Sequence, residues 1–468
     1  MRIYNQKIFI LFIGVLFLEN ARGEILLPSL FSDGVVLQQN TEVKIWGWAP
    51  PGDTLKIVTT WNNDTTLSKV NEMSYWEATI KTRRGGFDTH KIEVFSKNDL
   101  KTVNDVLLGE VWLCSGQSNM EWGAQNGHQE IMEEMAYSYN QSIRLFHVPK
   151  IASFSEQEDI KSKWQICGPA ALANFSSIGY FAGKKLHEEL NVPIGIINAS
   201  WGGTSAEMWL PDSLVRNDLL LKSFAEPIPY SEYHPNQIGS CWNSMIYPLT
   251  QFRIAGVLWY QGESNVWSWK GYDKLFIKLI SSWREAWKVD FPFYYVQIAP
   301  FQYNTGENAM AAHLRSKQTE VLSLPNTGMV VTTDLVDNIK DIHPCRKKEV
   351  AHRLANIALA EVYGKELIDY KSPVFSHYTL SKNRVKIYFK YLEGNLAVKE
   401  ESAIKELYIA GEDQIYHKAN FEIVENTLEV YSDNIQQPKY VKFGFSDIAQ
   451  PNLFNTKGLP VSPFFVKL

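Results

Sequence analysis

Val111-Trp112-Leu113-Cys114-Ser115-Gly116-Gln117-Ser118-Asn119-Met120 begins as an unbroken apolar run and gives way within one residue to hydroxyl, glycine and amide side chains. A short apolar run without polar alternation is the pattern of a strand covered on both faces, as strands of a parallel sheet are. Near-continuous apolar runs recur at 194–199, 256–260, 293–298 and 329–333. Between them the apolar spacing predicts helices over 178–190, 272–287 and 309–322. Val350, Leu354, Ile357 and Ala358 add an i, i+4, i+7, i+8 stripe that Gly364 ends. Strands and helices alternating over residues 106–365 predict an α/β domain with a parallel sheet flanked by helices.

Outward from this core the periodicity changes. Residues 24–105 alternate with strand period, as in Val43-Lys44-Ile45-Trp46-Gly47-Trp48, and are broken by Pro50-Pro51-Gly52 and Gly85-Gly86. They predict an N-terminal β-sandwich module. Residues 366–468 return to alternation in Val385-Lys386-Ile387-Tyr388-Phe389 and Tyr440-Val441-Lys442-Phe443-Gly444-Phe445, which predicts a C-terminal β module of the same sort. Residues 1–23 combine Arg2 and Lys7 with an apolar run from Ile8 to Leu18 and small residues at Ala21 and Gly23. They are expected to be a cleavable signal peptide directing export to the periplasm or outside the cell, the run being too short for an integral membrane anchor.

Composition narrows the classes. The chain of 468 residues is 45% hydrophobic and 21% charged, which suits a multi-domain globular protein and excludes a disordered one. With 46 basic against 51 acidic residues and a net charge of −5, it lacks the basic footprint of a nucleic-acid or anionic-membrane binder. Four cysteines, Cys114, Cys167, Cys241 and Cys345, are widely spaced and match no metal-binding pattern, so neither a metal nor another cofactor is expected. Cys114, inside an apolar run, is expected to be a buried free thiol.

A parallel sheet binds ligands outside the carboxyl ends of its strands. Three strand ends run into segments of one chemical kind: Ser115-Gly116-Gln117-Ser118-Asn119-Met120, Ser200-Trp201-Gly202-Gly203-Thr204-Ser205 and Gln261-Gly262-Glu263-Ser264-Asn265. Glycines allow close backbone approach and leave N–H groups free to donate, and amides add donors, as a developing oxyanion requires. A fourth end, Asp334-Leu335-Val336-Asp337-Asn338-Ile339-Lys340-Asp341-Ile342-His343-Pro344, supplies carboxylates and a histidine. Serine, histidine and a carboxylate at one sheet edge can perform nucleophilic acyl transfer. Taken singly, Ser118 also reads as a polar turn residue, Asp341 and His343 as helix-entry residues, and Gln261 with Glu263 as a buried polar pair. Trp122, Trp201 and Trp267 are packing residues or walls of a sugar pocket, while His128, His187 and His352 are expected at the surface. No phosphate-binding loop, dinucleotide fingerprint or H-E-x-x-H motif is present, and Met120 stands where the second glycine of a G-x-S-x-G elbow belongs.

The segments from Gly109 to Met120, from Ser200 to Thr204, from Trp259 to Asn265 and from Asp341 to Pro344 together resemble the sialate O-acetylesterases, a branch of the SGNH hydrolases. Val35-Val36-Leu37-Gln38 and Gly458-Leu459-Pro460-Val461-Ser462-Pro463-Phe464 extend the resemblance from about Pro28 to the carboxyl end. It implies an SGNH, flavodoxin-like sheet and a serine carbohydrate esterase. Ser118 is then the nucleophile and His343 the base. Backbone N–H groups of Ser118 and Gly203 and the side-chain amide of Gln261 form the oxyanion hole, with Gln117, Asn119 and Glu263 in support. The family's usual Asp three residues before the histidine is Lys340 here, so Asp341 is taken as the third member, with a Ser-His dyad as the alternative. The implied substrate is an O-acetylated sugar, foremost 9-O-acetylated sialic acid, with acetylated plant or host polysaccharide such as xylan as the alternative. A glycan-binding module with an idle central site is the non-enzymatic reading.

Overall fold

A computed structural model of the chain describes residues 24–468 except 226–227, 229, 306–308, 367–369 and 401. The expected signal peptide, 1–23, lies outside the described residues.

The central sheet contains β1 (Leu100–Gly116), β2 (Asn140–His147), β3 (Trp164–Cys167), β4 (Ile194–Ser200), β5 (Gly256–Tyr260), β6 (Phe293–Val296) and β7 (Thr327–Val330), in spatial order β7-β6-β5-β1-β4-β2-β3. All neighbours are parallel except β3, which runs antiparallel to β2. Strand order reverses around β1, with β4 on one side and β5 on the other. That reversal opens a crevice at the carboxyl end of β1, where open α/β sheets take their ligands. β6 and β7 are shorter than the apolar runs that predict them, because regular pairing stops where Val296 meets Val330.

Alternate residues of each strand point to opposite faces, and both faces are dry. Leu113, Ile197, Val257, Trp259, Phe293 and Tyr295 pack with Phe276, Leu279, Ile280 and Trp283 of one helix, α3. Trp112, Cys114, Ile196, Leu258, Tyr260, Tyr294 and Val296 pack on the other face with helices α2 and α5. These helices belong to the set α1 (Ser118–Glu121), α2 (Ser177–Leu190), α3 (Tyr272–Trp287), α4 (Met310–Glu320) and α5 (Lys347–Glu361). The stripe Val350, Leu354, Ile357, Ala358 is the buried face of α5. Val350, Leu354 and Ile357 each contribute about 1.5–3 kcal/mol on burial. Ser176 caps α2 by accepting the N–H of Gly179 at 2.9 Å, and Asn191 closes it in a left-handed conformation.

β1 is 17 residues long. Its first half pairs antiparallel with Gly86–Phe95, and Leu107 to Gly109 pair in parallel with Val36–Gln38. Its second half is the centre of the parallel sheet. The boundary read between residues 105 and 106 therefore falls inside one strand, and Ile57, Val94 and Val103 share a continuous core with Val111 and Leu113. The carboxyl-terminal strands from Val374 onward form antiparallel sheets around a separate core that includes Val385, Ile409, Val441 and Phe443. Among the described residues no helix is long and apolar enough to cross a membrane.

Candidate active site

Ser118 is the first residue of α1, and Gln117 before it is extended (φ −108°, ψ −158°), so the chain turns sharply as it leaves β1. Gly116 has φ +134°, and a Cβ there would lie 2.1 Å from the carbonyl oxygen of Tyr260. Only glycine lets β1 and β5 close up at this point. His343 comes from the loop between β7 and α5, and its Nε2 lies 2.9 Å from Ser118 Oγ. The imidazole is stacked on Trp122, with ring centroids 3.5 Å apart and planes at 22°. Burial first, and then the ammonium of Lys347, push the His343 imidazole down to about 4, against an opposing effect of Asp341.

Asp341 lies 3.7 Å from Nδ1 of His343, beyond hydrogen-bond reach, and its Oδ1 accepts the backbone N–H of His343 at 2.9 Å. Its side chain is half exposed. Asn119 is fully buried and donates to Glu263 Oε1 at 2.6 Å and to the carbonyl of Ile342 at 3.0 Å. Gln117 Oε1 accepts the N–H groups of Gly262 and Ser264 at 3.3 Å each, and Ser264 Oγ donates to the carbonyl of Gly203 at 3.0 Å. The strand-end segments expected to converge are thus tied to one another. Burial raises the Glu263 carboxyl above the usual carboxylate range, and its Oε2 has no partner among the described residues.

Gly203 adopts φ +78°, and a Cβ there would come within 2.3 Å of the His234 ring. The turn before it is held by Glu121, which accepts the N–H of Gly202 and pairs with Lys150 at 2.7 Å. The N–H groups of Ser118 and Gly203 make no hydrogen bond among the described residues and are free for a ligand. Beside Gly203 lies a cavity of about 500 Å³ lined by Met208, Phe224, His234, Glu263 and Trp267. Trp267 is exposed, and Trp201 donates its Nε1–H to the carbonyl of Tyr233 at 3.1 Å.

Two expectations need correction. The Gln261 amide does not serve as an open donor: it is fully buried and its two N–H groups go to Asn265 Oδ1 at 2.7 Å and to the carbonyl of Thr204 at 3.3 Å, while its oxygen accepts from Tyr272 at 2.8 Å. A side chain at this depth satisfies its buried neighbours before it can face a substrate. His128, expected at the surface, is 3% exposed and packs against Trp122, whose ring lies 5.7 Å away. Burial pushes it down to about 4. Cys114 is a buried free thiol, and burial pushes it well above the usual thiol range; the other three cysteines are also unpaired. Glu121, His234 and Lys347 carry no motif signal, because each joins the site through contacts with residues remote in sequence.

Residues 108–360 match the family model described as carbohydrate esterase, sialic acid-specific acetylesterase. The human sialate O-acetylesterase is 30% identical over 420 residues, covering 80% of this chain and 78% of that protein, and the mouse protein is 29% identical over 411 residues, covering 74% and 75%. The crystal structure of a carbohydrate acetylesterase from Xanthomonas citri superposes with a TM-score of 0.86 at 33% identity, covering 95% of this chain and 99% of that one. The chain therefore belongs to the carbohydrate esterase family of sialic acid-specific acetylesterases and is an ester hydrolase.

Proposed function

We propose that this protein removes O-acetyl groups from sugars by a two-step acyl transfer on Ser118, with O-acetylated sialic acid as its foremost substrate. The observation that carries the reading is the 2.9 Å contact between Ser118 Oγ and His343 Nε2, groups 225 positions apart in the chain. His343 Nε2 takes the Ser118 proton as Oγ bonds to the acetyl carbon, and the carbonyl oxygen becomes an oxyanion facing the N–H groups of Ser118 and Gly203. Collapse breaks the bond to the sugar oxygen, which leaves with the proton from His343. Water then attacks the acetyl-enzyme and gives a proton to His343, acetate departs, and Ser118 Oγ recovers that proton. Asp341 acts on His343 as a nearby charge and through the backbone of its loop, so the centre works as a dyad with an auxiliary carboxylate.

The substrate reading rests on the similarity to sialate O-acetylesterases. A second reading, a neutral acetylated polysaccharide, is favoured by the cavity beside Gly203, whose lining pairs apolar and aromatic side chains with the Glu263 carboxyl. Acetate release from acetylated sialic acid, acetylated xylan and a chromogenic acetyl ester, by wild type, Ser118→Ala and His343→Gln, tests the proposal. Equal release by wild type and Ser118→Ala would overturn it. We infer further that residues 1–23 direct export, and a mature protein that begins near Glu24 in the periplasm or medium is the expected outcome.

A further inference from the structure

Lys347 is in the first turn of α5, is 2% exposed, and forms no ion pair among the described residues. Its ammonium donates to Oδ1 of Asn119 and lies 5.6 Å from the centroid of the Tyr260 ring. An ammonium removed from water costs several kcal/mol, so its retention here calls for a physical role. That role is visible in what Asn119 does. With its oxygen committed to Lys347 on α5, the Asn119 amide must turn its two N–H groups to Glu263 and to the carbonyl of Ile342. Asn119 follows Ser118 and Ile342 precedes His343, so one amide clamps the serine turn to the histidine loop.

We propose that Lys347 is a positioning residue for the Ser118–His343 pair, its buried ammonium orienting the Asn119 amide that joins the two loops and placing a positive charge near the imidazole. The proposal rests on the acyl-transfer reading for its catalytic meaning, though the clamp stands on the geometry alone.

The groups around the imidazole agree with this. Lys347 on α5 disfavours the charged imidazole and Asp341 in its own loop favours it. His128, packed on Trp122, is itself pushed down by burial, Lys347 and His343. Around Lys347, the charges of Glu263, Cys345, Asp341 and Glu130 favour the ammonium, but burial outweighs them and lowers it to about 8. Between these limits the pair operates with a neutral His343 over a charged Lys347.

The test is the titration of the His343 imidazole by NMR, assigned with His343→Gln, in wild type and Lys347→Met, beside kcat and KM on a chromogenic acetyl ester. Losing a nearby cation should raise the His343 midpoint by about one unit. Turnover is expected to fall roughly ten-fold or more with KM within about two-fold, because the Asn119 amide that aligns the pair loses its fixed orientation. Asn119→Ala breaks the clamp but leaves the charge, so it should lower kcat while the midpoint stays low. An unmoved midpoint in Lys347→Met, or unchanged kcat in both variants, overturns the proposal. Should Lys347→Met fail to fold, Asn119→Ala decides: unchanged kcat in that variant overturns the proposal. The NMR measurement needs no turnover, so an inactive wild type sinks the esterase reading without deciding this one.

Discussion

Asp341 Oδ1 accepts the backbone N–H of His343 at 2.9 Å while standing 3.7 Å from its Nδ1, so the carboxylate shapes the loop more than it grips the ring. A half-exposed charge at that distance is screened by water and contributes little. Asp341→Asn is expected to reduce kcat/KM by less than about ten-fold, against roughly 10⁴ where a buried triad carboxylate is removed. Steady-state acetate release measures it, and a loss of the larger size would restore a full triad.

The imidazole of His343 is held neutral by burial and by Lys347, with a folded value of about 4. Because the base must be unprotonated, kcat/KM should hold between pH 5 and 7 and fall only as pH approaches about 4, rather than near the ordinary histidine value of about 6.5. The stability sign follows the same direction. A folded value below the unfolded one makes this contribution complete above about pH 6.5 and lost as pH falls toward 4. A pH profile of kcat/KM beside thermal unfolding at the same pH values checks both.

Gly203 combines φ +78° with the His234 ring where a Cβ would go. Gly203→Ala therefore has to move the turn that presents its N–H. Turnover should drop about 10²–10³-fold, the cost of one oxyanion donor, with about 1–2 kcal/mol of backbone strain. Single-turnover acetylation kinetics and Tm separate the two effects.

Gln261→Ala is expected to act on stability. It removes the donor to the Thr204 carbonyl in a dry interior, while Tyr272 O–H keeps the backbone carbonyl of residue 261 and Asn265 Oδ1 keeps the Ala206 N–H. An unsatisfied group costs about 1–3 kcal/mol, so Tm should fall by several degrees while kcat per folded molecule changes less than about ten-fold. Active-site titration with an acetyl ester normalises the rate, and a 10³-fold loss of kcat at unchanged Tm would return Gln261 to the oxyanion hole.

The strands were legible because a doubly covered strand is near-continuously apolar, as 194–199 (Asn198 apart) and 256–260 are. The helix stripe Val350, Leu354, Ile357, Ala358 was legible for the same reason, since one face has to meet the sheet. The length of β1 was not, because Asn104 and Asp105 interrupt the apolar pattern where the strand passes from one sheet environment to the next. His128 was misplaced because it lies in irregular backbone, where no period assigns a face.

By itself the sequence determined the layered α/β core and the strand ends that carry chemistry, and its resemblance to the sialate O-acetylesterases singled out Ser118 and His343. Apolar periodicity and glycine spacing are properties of neighbouring residues, so they can be read along the chain. Tertiary structure alone decided that Gln261 turns inward, that Asp341 stops short of the ring, and that Lys347 is sealed behind Asn119. Each of those outcomes depends on which buried donor or acceptor lacks a partner, and the partners arrive from other loops, as Lys347 does to Asn119 across 228 positions.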